Sequence, residues 1–195
     1  MKPYSQACEN NKQPIFECLR DVLVEPGLVL EIGSGTGQHV EYLATQLPHL
    51  QWQPTNHPSA ADCEERLREA ALANVLPPLA LDVAASNWPL VAADAAFSAN
   101  TAHIMGWPEV QAMFQGLAAI LPEGAPFCLY GPFNYGGSFT SDSNRAFDQH
   151  LRSRAAHMGI RDIEDLLELA ALSGFILAAD NAMPANNRLL VWRRT

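Results

Sequence analysis

The sequence predicts one α/β domain, residues 1–195, in which helices cover both faces of a seven-stranded, mostly parallel sheet with an antiparallel last strand. Three observations predict this fold class. Short apolar segments alternate with amphipathic segments, which is the pattern of a sheet covered on both faces. A chain of 195 residues with 48% hydrophobic content suits a single core. The last two predicted strands are joined by the loop MPANN, and so short a loop requires an antiparallel pair.

The first half of the chain predicts four strands and three helices. The opening helix is expected to begin at Pro14, because proline suits a first helical turn, and to end before the Pro-Gly pair at 26–27. A helix from about 59 to 74 is expected to start with a capping pattern formed by Ser59 and Asp62. The fourth strand is assigned from its place in the alternation, because it has few β-branched residues. The strands are expected at 28–32, 51–55, 78–81 and 95–100, and the apolar face of the second helix at Val40, Leu43, Ala44 and Leu47.

The second half predicts one strand, three helices and a closing hairpin. An apolar stripe at helical spacing consists of Val110, Met113, Phe114, Leu117 and Leu121. A strand at 127–130 follows, and then helices at 143–156 and 163–172. Gly174 is suited to the left-handed cap that ends the last helix. The hairpin strands are expected at 175–180 and 189–193.

Composition excludes several classes of function. Twelve basic residues stand against 21 acidic ones, a net charge of −9, so the chain would repel a phosphate backbone and nucleic acid is not an expected partner. No apolar run approaches the ~20 residues that span a bilayer, and the first residues lack the apolar core of a secretion signal. A cytoplasmic protein with no membrane partner is therefore expected. The four cysteines are widely spaced, which favours reduced thiols and predicts no metal site: Cys8, Cys18, Cys63 and Cys128.

The segment that follows the first strand, VLEIGSGTG, is the most informative motif. Gly33, Gly35 and Gly37, with Ser34 between them, allow a tight turn in which a ligand approaches main-chain N–H groups at a helix N-terminus. S-adenosylmethionine carries a carboxylate for that position, and its ammonium and sulfonium charges favour an acid nearby, which Glu31 supplies. The alternative is a purely structural turn. A dinucleotide-binding fingerprint has the spacing G-x-G-x-x-G, which differs from the spacing here.

Polar residues after the next strands complete the predicted cofactor site. Asp82, beside Val83 at the end of the third strand, is placed to accept a hydrogen bond from an adenine amino group; a helix cap is the alternative. Asn56 follows the second strand, where this kind of fold normally has an acid that binds both ribose hydroxyls. A neutral Asn56 should bind ribose more weakly, and ordinary turn chemistry is its alternative role. Asn100 ends the fourth strand on the same edge of the sheet.

Several segments resemble the methyltransferase-like protein 26 family nearly from end to end. They are 5–15 (SQACENNKQPI), 30–39 (LEIGSGTGQH), 52–55 (WQPT), 130–133 (YGPF), 143–144 (SN), 147–148 (FD), 159–162 (GIRD) and 183–187 (MPANN). The resemblance implies a class I methyltransferase fold of the Rossmann-like type, with a site for S-adenosylmethionine, and leaves the substrate open. This chain departs from the family's pattern at Asn56, where an acid is expected, and at Cys8, where a small residue is expected.

The methyl acceptor is expected to lie over the ends of the fourth and fifth strands. Polar side chains at that edge are Asn100, His103, Tyr130, Asn134, Tyr135 and Asn187. We predict catalytic roles for His103, Tyr130 and Asn187, with His103 as general base because its unperturbed pKa lies near neutrality. His103 has two structural alternatives, a cap on the helix near Pro108 and packing against Trp107. Segments 133–144 and 1–14 are interpreted as covering loops, for which solvated connections are the alternative.

The sequence thus predicts an S-adenosylmethionine-dependent methyltransferase that acts on a small molecule. One alternative is a protein that keeps the fold but has lost catalysis and serves as a cofactor-binding module or scaffold. A nicotinamide-dependent oxidoreductase is a second alternative, which the glycine spacing disfavours. The sequence leaves the acceptor atom and the oligomeric state open.

Overall fold

The computed structural model describes residues 3–60, 63–90 and 92–195, and it confirms the predicted fold class. Seven strands form one sheet in the order β3-β2-β1-β4-β5-β9-β8. Six of them run in the same direction, and β9 runs in the opposite direction between β5 and β8. The strands of this sheet are β1 (Gly27–Ile32), β2 (Leu50–Asn56), β3 (Leu79–Ala80), β4 (Ala95–Ala99), β5 (Pro126–Gly131), β8 (Phe175–Met183) and β9 (Asn187–Arg194). A small parallel pair, β6 (Phe133–Asn134) and β7 (Arg161–Asp162), lies outside it.

Six helices cover the sheet in the described part of the chain. They are α1 (Gln6–Val22), α2 (Gln38–Gln46), α3 (Glu64–Ala70), α4 (Trp107–Ile120), α5 (Asp142–Arg154) and α6 (Ile163–Leu172). Alternate side chains of the central strands enter two separate cores: Val29 packs with residues of α1 and α2, whereas Leu30 packs with residues of α4 and α6. Helices therefore lie on both faces, as predicted.

The predicted start of the first helix at Pro14 is wrong, because α1 begins eight residues earlier and includes Pro14. The Ser5 hydroxyl caps this helix by accepting a hydrogen bond from the Cys8 amide at 3.3 Å. Interior proline disfavours a helix by about 3 kcal/mol. Tertiary contacts offset this cost: Ile15 and Leu19 are fully buried, and Gln38 of α2 bonds both the amide and the carbonyl of Ser5.

The third helix is shorter than predicted and runs over seven residues instead of 59–74. Ser59 lies in a turn that is closed by a hydrogen bond from the Ala60 amide to the His57 carbonyl at 2.8 Å. The predicted capping partner Asp62 lies outside the described residues. The helix ends at Ala71, whose left-handed backbone (φ 48°) cannot continue it.

The closing hairpin confirms the predicted antiparallel pair and extends it to Met183 and Asn187, which pair across a single 3₁₀ turn at Pro184–Asn186. β9 inserts between β5 and β8, so the last strand of the chain lies inside the sheet. Gly174 takes the left-handed conformation (φ 75°) that was expected after α6. None of the described helices is long and apolar enough to cross a membrane.

Phe114 of α4 is the centre of the core between α4, α6 and the sheet. Its ring is fully buried and makes edge contacts with Phe127, Phe175 and Trp192 at centroid distances of 5.4 to 5.8 Å.

We predict that Phe114→Ala lowers the free energy of unfolding by about 3–5 kcal/mol, because it leaves a cavity among three rings. Urea denaturation measures the loss. The control Leu172→Ala, at a helical position that is 81% exposed, should change stability by less than about 0.5 kcal/mol; equal losses would contradict the prediction.

Candidate functional site

A cavity of about 890 Å³ opens at the carboxyl ends of four parallel strands. Each of these strands is followed by a segment that lines it: 32–36 after β1, 56–57 after β2, 81–84 after β3, and 99–101 with 103–106 after β4. Ser5, Ala7 and Cys8 at the start of the chain line it beside Thr36 of the glycine turn, and Phe147 and His157 line it together with His103. Ligands of open α/β sheets bind at this edge, so the cavity is the candidate site.

The glycine turn between β1 and α2 forms the floor of this cavity. Gly33, Gly35 and Gly37 all have positive φ, from 55° to 77°. At Gly33 a β-carbon would also stand 2.5 Å from Cγ2 of Thr101, so the residue there must lack a side chain. Gly37 caps α2 through its backbone and does not line the cavity.

Two polar side chains tie the glycine turn to β2. The Ser34 amide donates to the Thr55 carbonyl at 2.8 Å, and the Ser34 hydroxyl accepts from the Thr55 amide at 3.2 Å. Asn56 accepts a hydrogen bond from the Gly35 amide at 2.7 Å and donates one to the Gly35 carbonyl at 3.2 Å. Asn56, predicted for ribose, therefore lines the cavity and also fixes the peptide on which the turn depends.

Glu31 is buried near the end of β1, next to Ile32 of the cavity wall, and has an unsatisfied carboxylate oxygen, although it is not itself among the residues that line the cavity. Its side chain is 1% exposed, and its Oε2 atom has no hydrogen-bond partner among the described residues. Burial raises the pKa of Glu31 to about 7, and a hydrogen bond with Ser34 opposes this rise. Because a buried carboxylate without a partner is costly, the site favours a ligand that brings a cationic donor.

Asp82 and Val83 lie together at the cavity wall after β3. Asp82 is about half exposed, and one of its oxygens accepts from the Ala84 amide at 2.9 Å, so it caps a turn. Its other oxygen lies 3.9 Å from Nε2 of His57. The predicted adenine contact and the alternative cap are therefore compatible, because they use different oxygens.

Asn100 lies at the cavity edge with a left-handed backbone (φ 60°), which is uncommon outside glycine. Its amide donates to the Tyr130 carbonyl at 2.9 Å and so continues the pairing of β4 with β5. This backbone turns the chain out of β4 and into the segment that carries His103.

His103 lines the far end of the cavity and is 5% exposed. Its ring packs edge-on against Phe147, at a centroid distance of 5.2 Å, and does not cap α4, whose N-cap residue is Gly106 and which has no side-chain cap. Burial and the charge of Arg161 lower the pKa of His103 to about 4, so its ring is neutral at pH 7 and able to accept a proton.

Arg161 fixes the loop that carries His103. Its guanidinium donates to the carbonyls of Ala102, Met105 and His157, at 2.9 Å to Ala102 and 3.0 Å to His157. The His103 carbonyl in turn accepts from the Gly159 amide at 2.9 Å. Arg161 does not itself line the cavity, and its guanidinium donors are occupied by backbone carbonyls.

The structure does not bring Tyr130 and Asn187, both predicted to be catalytic, into the cavity. Side chains alternate along a strand, and Tyr130 points to the face of α1 and α2, where its hydroxyl bonds Asn11. Asn187 donates to the Pro184 carbonyl in the hairpin turn at 3.1 Å. Asn134 is buried in the small β6–β7 pair and Tyr135 bonds Asp180, so neither reaches the cavity.

The start of the chain covers the cavity as part of a helix instead of as the predicted loop. Gln38 bonds Ser5 and also Glu9, at 3.2 Å, and Arg66 donates to the Pro3 carbonyl at 2.7 Å. Only the beginning of segment 133–144 is ordered as a strand, and the rest leads to α5 without lining the cavity.

Sequence reasoning missed several residues of the site. The most informative are His39, Thr101, Ile104 and Phe147, all of which line the cavity. His39 is the first-turn neighbour of the glycine motif, and its Nε2 lies 2.7 Å from Oδ1 of Asn11. Its position two residues after Gly37 was a usable signal. Phe147 stands in the resembling segment 147–148, although no local pattern connected it with the cavity.

The described residues form no cluster of three or more His, Cys, Asp or Glu side chains that could hold a metal ion. None of the four cysteines forms a disulfide bond in the described part of the chain. Burial raises the pKa of Cys8, which faces the cavity, so the group is a thiol at pH 7.

Comparison with known proteins places the fold. A family model described as "Protein of unknown function (DUF938)" matches residues 2–194. Among solved structures, an O-methyltransferase family protein from Burkholderia thailandensis is 15% identical with a TM-score of 0.83 over 97% of this chain and 57% of that one. The S-adenosylmethionine-dependent methyltransferase SibL is 17% identical (TM-score 0.78; 96% and 55%). CalO1, a calicheamicin-biosynthesis methyltransferase with SAH bound, is 14% identical (TM-score 0.72; 87% and 49%).

These likenesses show the class I methyltransferase fold. The chain spans about half the length of these solved structures. The resemblance to the methyltransferase-like protein 26 family stays a prediction.

The close approach of Gly33 to Thr101 yields the first prediction for the site. Gly33→Ala should destabilise the protein more than Gly124→Ala, a matched control with the same backbone sign (φ 81°) and open space around it. Left-handed alanine costs about 1–2 kcal/mol at either position, and the clash adds about 1–3 kcal/mol at Gly33 alone. Thr101→Ser removes the clashing methyl group, so the double variant should recover most of the difference. Urea denaturation of all four proteins measures this, and failure of the serine to restore stability would contradict the proposed contact.

The buried titratable groups predict how stability depends on pH. The pKa values of His39 and His103 fall to about 4 on folding, whereas that of Glu31 rises to about 7. Between pH 4.5 and 6.5 the unfolded chain therefore binds two protons on the histidines and the folded chain one on Glu31. These groups lower the unfolding free energy by about 1.4 kcal/mol per pH unit as pH falls through this window.

In His103→Gln the contributions of His39 and Glu31 oppose each other, so we expect a nearly flat dependence in the same window. Denaturation at a series of pH values measures the slope. The exposed control His150→Gln should keep the slope of the unmodified protein. An unchanged slope in His103→Gln would show that His103 is not neutral in the folded state.

Proposed function

We propose that this chain, which belongs to the DUF938 family, is an S-adenosylmethionine-dependent methyltransferase that acts on a small-molecule acceptor. The observation that carries the proposal is the buried, unpartnered Oε2 of Glu31 beside a left-handed glycine turn at the carboxyl edge of the sheet. The solved structures that share the fold support it, because they are methyltransferases and one of them holds SAH.

The residues at the glycine end of the cavity fit this cofactor. A ligand ammonium would satisfy Oε2 of Glu31, the carboxylate oxygen that has no hydrogen-bond partner among the described residues. Gly33, Ser34 and Gly35 present backbone, without bulky side chains, to the amino-acid part of the ligand. Gly37 contributes indirectly by starting α2.

The adenosine part is assigned to the wall formed after β2, β3 and β4. Asp82 accepts from the adenine amino group with the oxygen that does not cap the Ala84 turn, and Val83 packs against the ring. Asn56 supports this part of the site chiefly through Gly35 and adds a neutral polar group near the ribose. Asn100 closes the same end of the wall.

When bound, S-adenosylmethionine supplies an activated methyl group on a sulfonium, and the transfer leaves S-adenosylhomocysteine. The chain's own part in the reaction is alignment of the acceptor, exclusion of water and removal of a proton. His103 is the proposed base, because it lines the acceptor end and is neutral at pH 7. Its low pKa limits its strength as a base, so it suits an acceptor whose own proton is acidic. Tyr130 and Asn187 are left out of this machinery, because neither lines the cavity.

One observation favours a second candidate function, a binding module without catalysis. An acidic residue that binds ribose was expected at this position, but Asn56 is neutral and is hydrogen-bonded to Gly35. Turnover separates the two: a catalyst converts the labelled methyl donor with an acceptor from metabolite extracts, and His103→Gln slows that conversion, whereas a binding module shows saturable binding alone.

Isothermal titration with S-adenosylmethionine and with S-adenosylhomocysteine tests the cofactor site. Both ligands are expected to bind with micromolar affinity, and Asp82→Ala should weaken binding while the protein stays folded. If neither ligand shows saturable binding up to millimolar concentration, the proposed function is excluded.

Glu31 makes a sharper prediction. We expect Glu31→Gln to weaken binding of S-adenosylhomocysteine about 10- to 100-fold at pH 8, because the amide removes a charge-assisted hydrogen bond. In the unmodified protein affinity should increase from pH 6 to pH 8, since the pKa of Glu31 is about 7 and the ionised form binds the ammonium. The variant should lose that pH dependence. The exposed control Glu25→Gln should retain both affinity and pH dependence, and equal behaviour of the two variants would remove Glu31 from the site.

A further inference from the structure

We propose that the methyl acceptor is an uncharged, mainly apolar molecule, which binds against Ile104, Phe147 and His103 at the end of the cavity opposite the start of the chain. This inference rests on the proposed function, because it assigns the acceptor's place within the same cavity. It defines a chemical class by what the cavity wall offers and what it lacks.

Exposed apolar side chains converge at this end of the cavity from two separate parts of the fold. Ile104 lies in the loop after β4 and is 42% exposed, and Phe147 lies in α5 and is 37% exposed. Met105 is partly buried beside them and also lines the cavity. When a ligand covers an exposed apolar side chain, the complex is stabilised by about 25 cal/mol for each Å² of apolar surface that is removed from water. A concave wall with such side chains indicates an apolar ligand.

The charges around the cavity disfavour an anionic acceptor. Among the described residues that line it there is no lysine or arginine, whereas Asp82 and Glu109 contribute carboxylates. Arg161 stands close behind the wall, but its guanidinium donates to three backbone carbonyls. A carboxylate or phosphate on the acceptor would therefore lose its hydration without gaining a lysine or arginine partner from the cavity wall.

A cationic acceptor is disfavoured by the ligand at the other end of the cavity. The sulfonium of the methyl donor must lie next to the accepting atom, and two positive charges a few Å apart repel each other strongly in a site shielded from water. His103 and Phe147 offer an uncharged surface to whatever lies between them and the donor. An uncharged acceptor avoids both penalties.

This end of the cavity is also held in place before a ligand binds. Arg161 and the Gly159 amide fix the loop of Ile104 and His103, as described above. On the opposite side Asp148, the neighbour of Phe147, is 4% exposed and accepts from the Ile160 amide at 2.8 Å. The apolar wall is therefore a built surface and does not need to be assembled by the acceptor.

Three naphthalene probes of similar shape and different charge test the preference for an uncharged acceptor. 2-Naphthol, 2-naphthoate and 2-naphthylmethylammonium are titrated against the full chain, alone and with saturating S-adenosylhomocysteine, and probe fluorescence reports binding. 2-Naphthol and the ammonium probe are also titrated with S-adenosylmethionine, because only this ligand carries the sulfonium. We expect 2-naphthol to bind about 10-fold or more tightly than 2-naphthoate, and than the ammonium probe when S-adenosylmethionine is bound. Phe147→Ala and Ile104→Ser should each weaken 2-naphthol about 10-fold and leave the affinity for S-adenosylhomocysteine unchanged. Leu167→Ala, which removes a 42% exposed side chain outside the cavity, is the matched control and should bind 2-naphthol normally.

A second measurement does not depend on the variants. The methyl signal of Ile104, followed by NMR in the unmodified protein, should shift as 2-naphthol is added. The inference is overturned if 2-naphthoate binds as well as 2-naphthol, if the ammonium probe does so with S-adenosylmethionine bound, if no probe shows saturable binding, or if the Ile104 signal and both variants are indifferent to 2-naphthol. Failure of the proposed function appears differently, as failure of S-adenosylhomocysteine to bind, while the titrations without it still report on the apolar wall.

Discussion

The left-handed turn at residues 33–37 is the constraint on which the rest of the site depends. It contacts two other segments at once: Gly33 lies against Thr101 after β4, while Ser34 and Gly35 are bonded to Thr55 and Asn56 at the end of β2. A side chain at Gly33 would separate β1 from the loop after β4. Because the turn joins the ends of three neighbouring strands, its backbone geometry fixes both the floor and the walls of the cavity.

Buried titratable groups give this cavity its chemical character. Desolvation is the largest cause of each shift, so it raises the pKa of Glu31 and lowers those of His39 and His103. The protein thus contributes the neutral imidazoles of His39 and His103 and a carboxyl group with a pKa near neutral pH, and no lysine or arginine stands among the described residues that line the cavity. Positive charge in the site must then come from the ligand, which is the arrangement expected for a sulfonium and ammonium compound.

The two ends of the cavity are stabilised by different means. At the glycine end, backbone turns and the docked start of α1 provide the shape, through Gln38 and Arg66. At the other end, the guanidinium of Arg161 gathers the loop after β4 and the segment before β7, while the β6–β7 pair anchors Arg161 itself. In the proposed function, this division separates the part of the cavity that would hold the methyl donor from the part that would hold the acceptor.

The sequence by itself determined the fold class, the order of strands and helices, the antiparallel hairpin and the glycine turn, because these follow from local periodicity, loop length and backbone freedom. Most of the residues that the sequence predicted to bind the cofactor do line the cavity, because the carboxyl ends of parallel strands lie at one edge of the sheet. The start of α1 depended on contacts with Gln38, and Tyr130 depended on the direction of its side chain across β5. The partners of Asn56, the clamp by Arg161 and the approach of Phe147 to His103 join residues far apart in the chain. Only the tertiary structure decided these, because no local pattern encodes a contact made by the packing of distant segments.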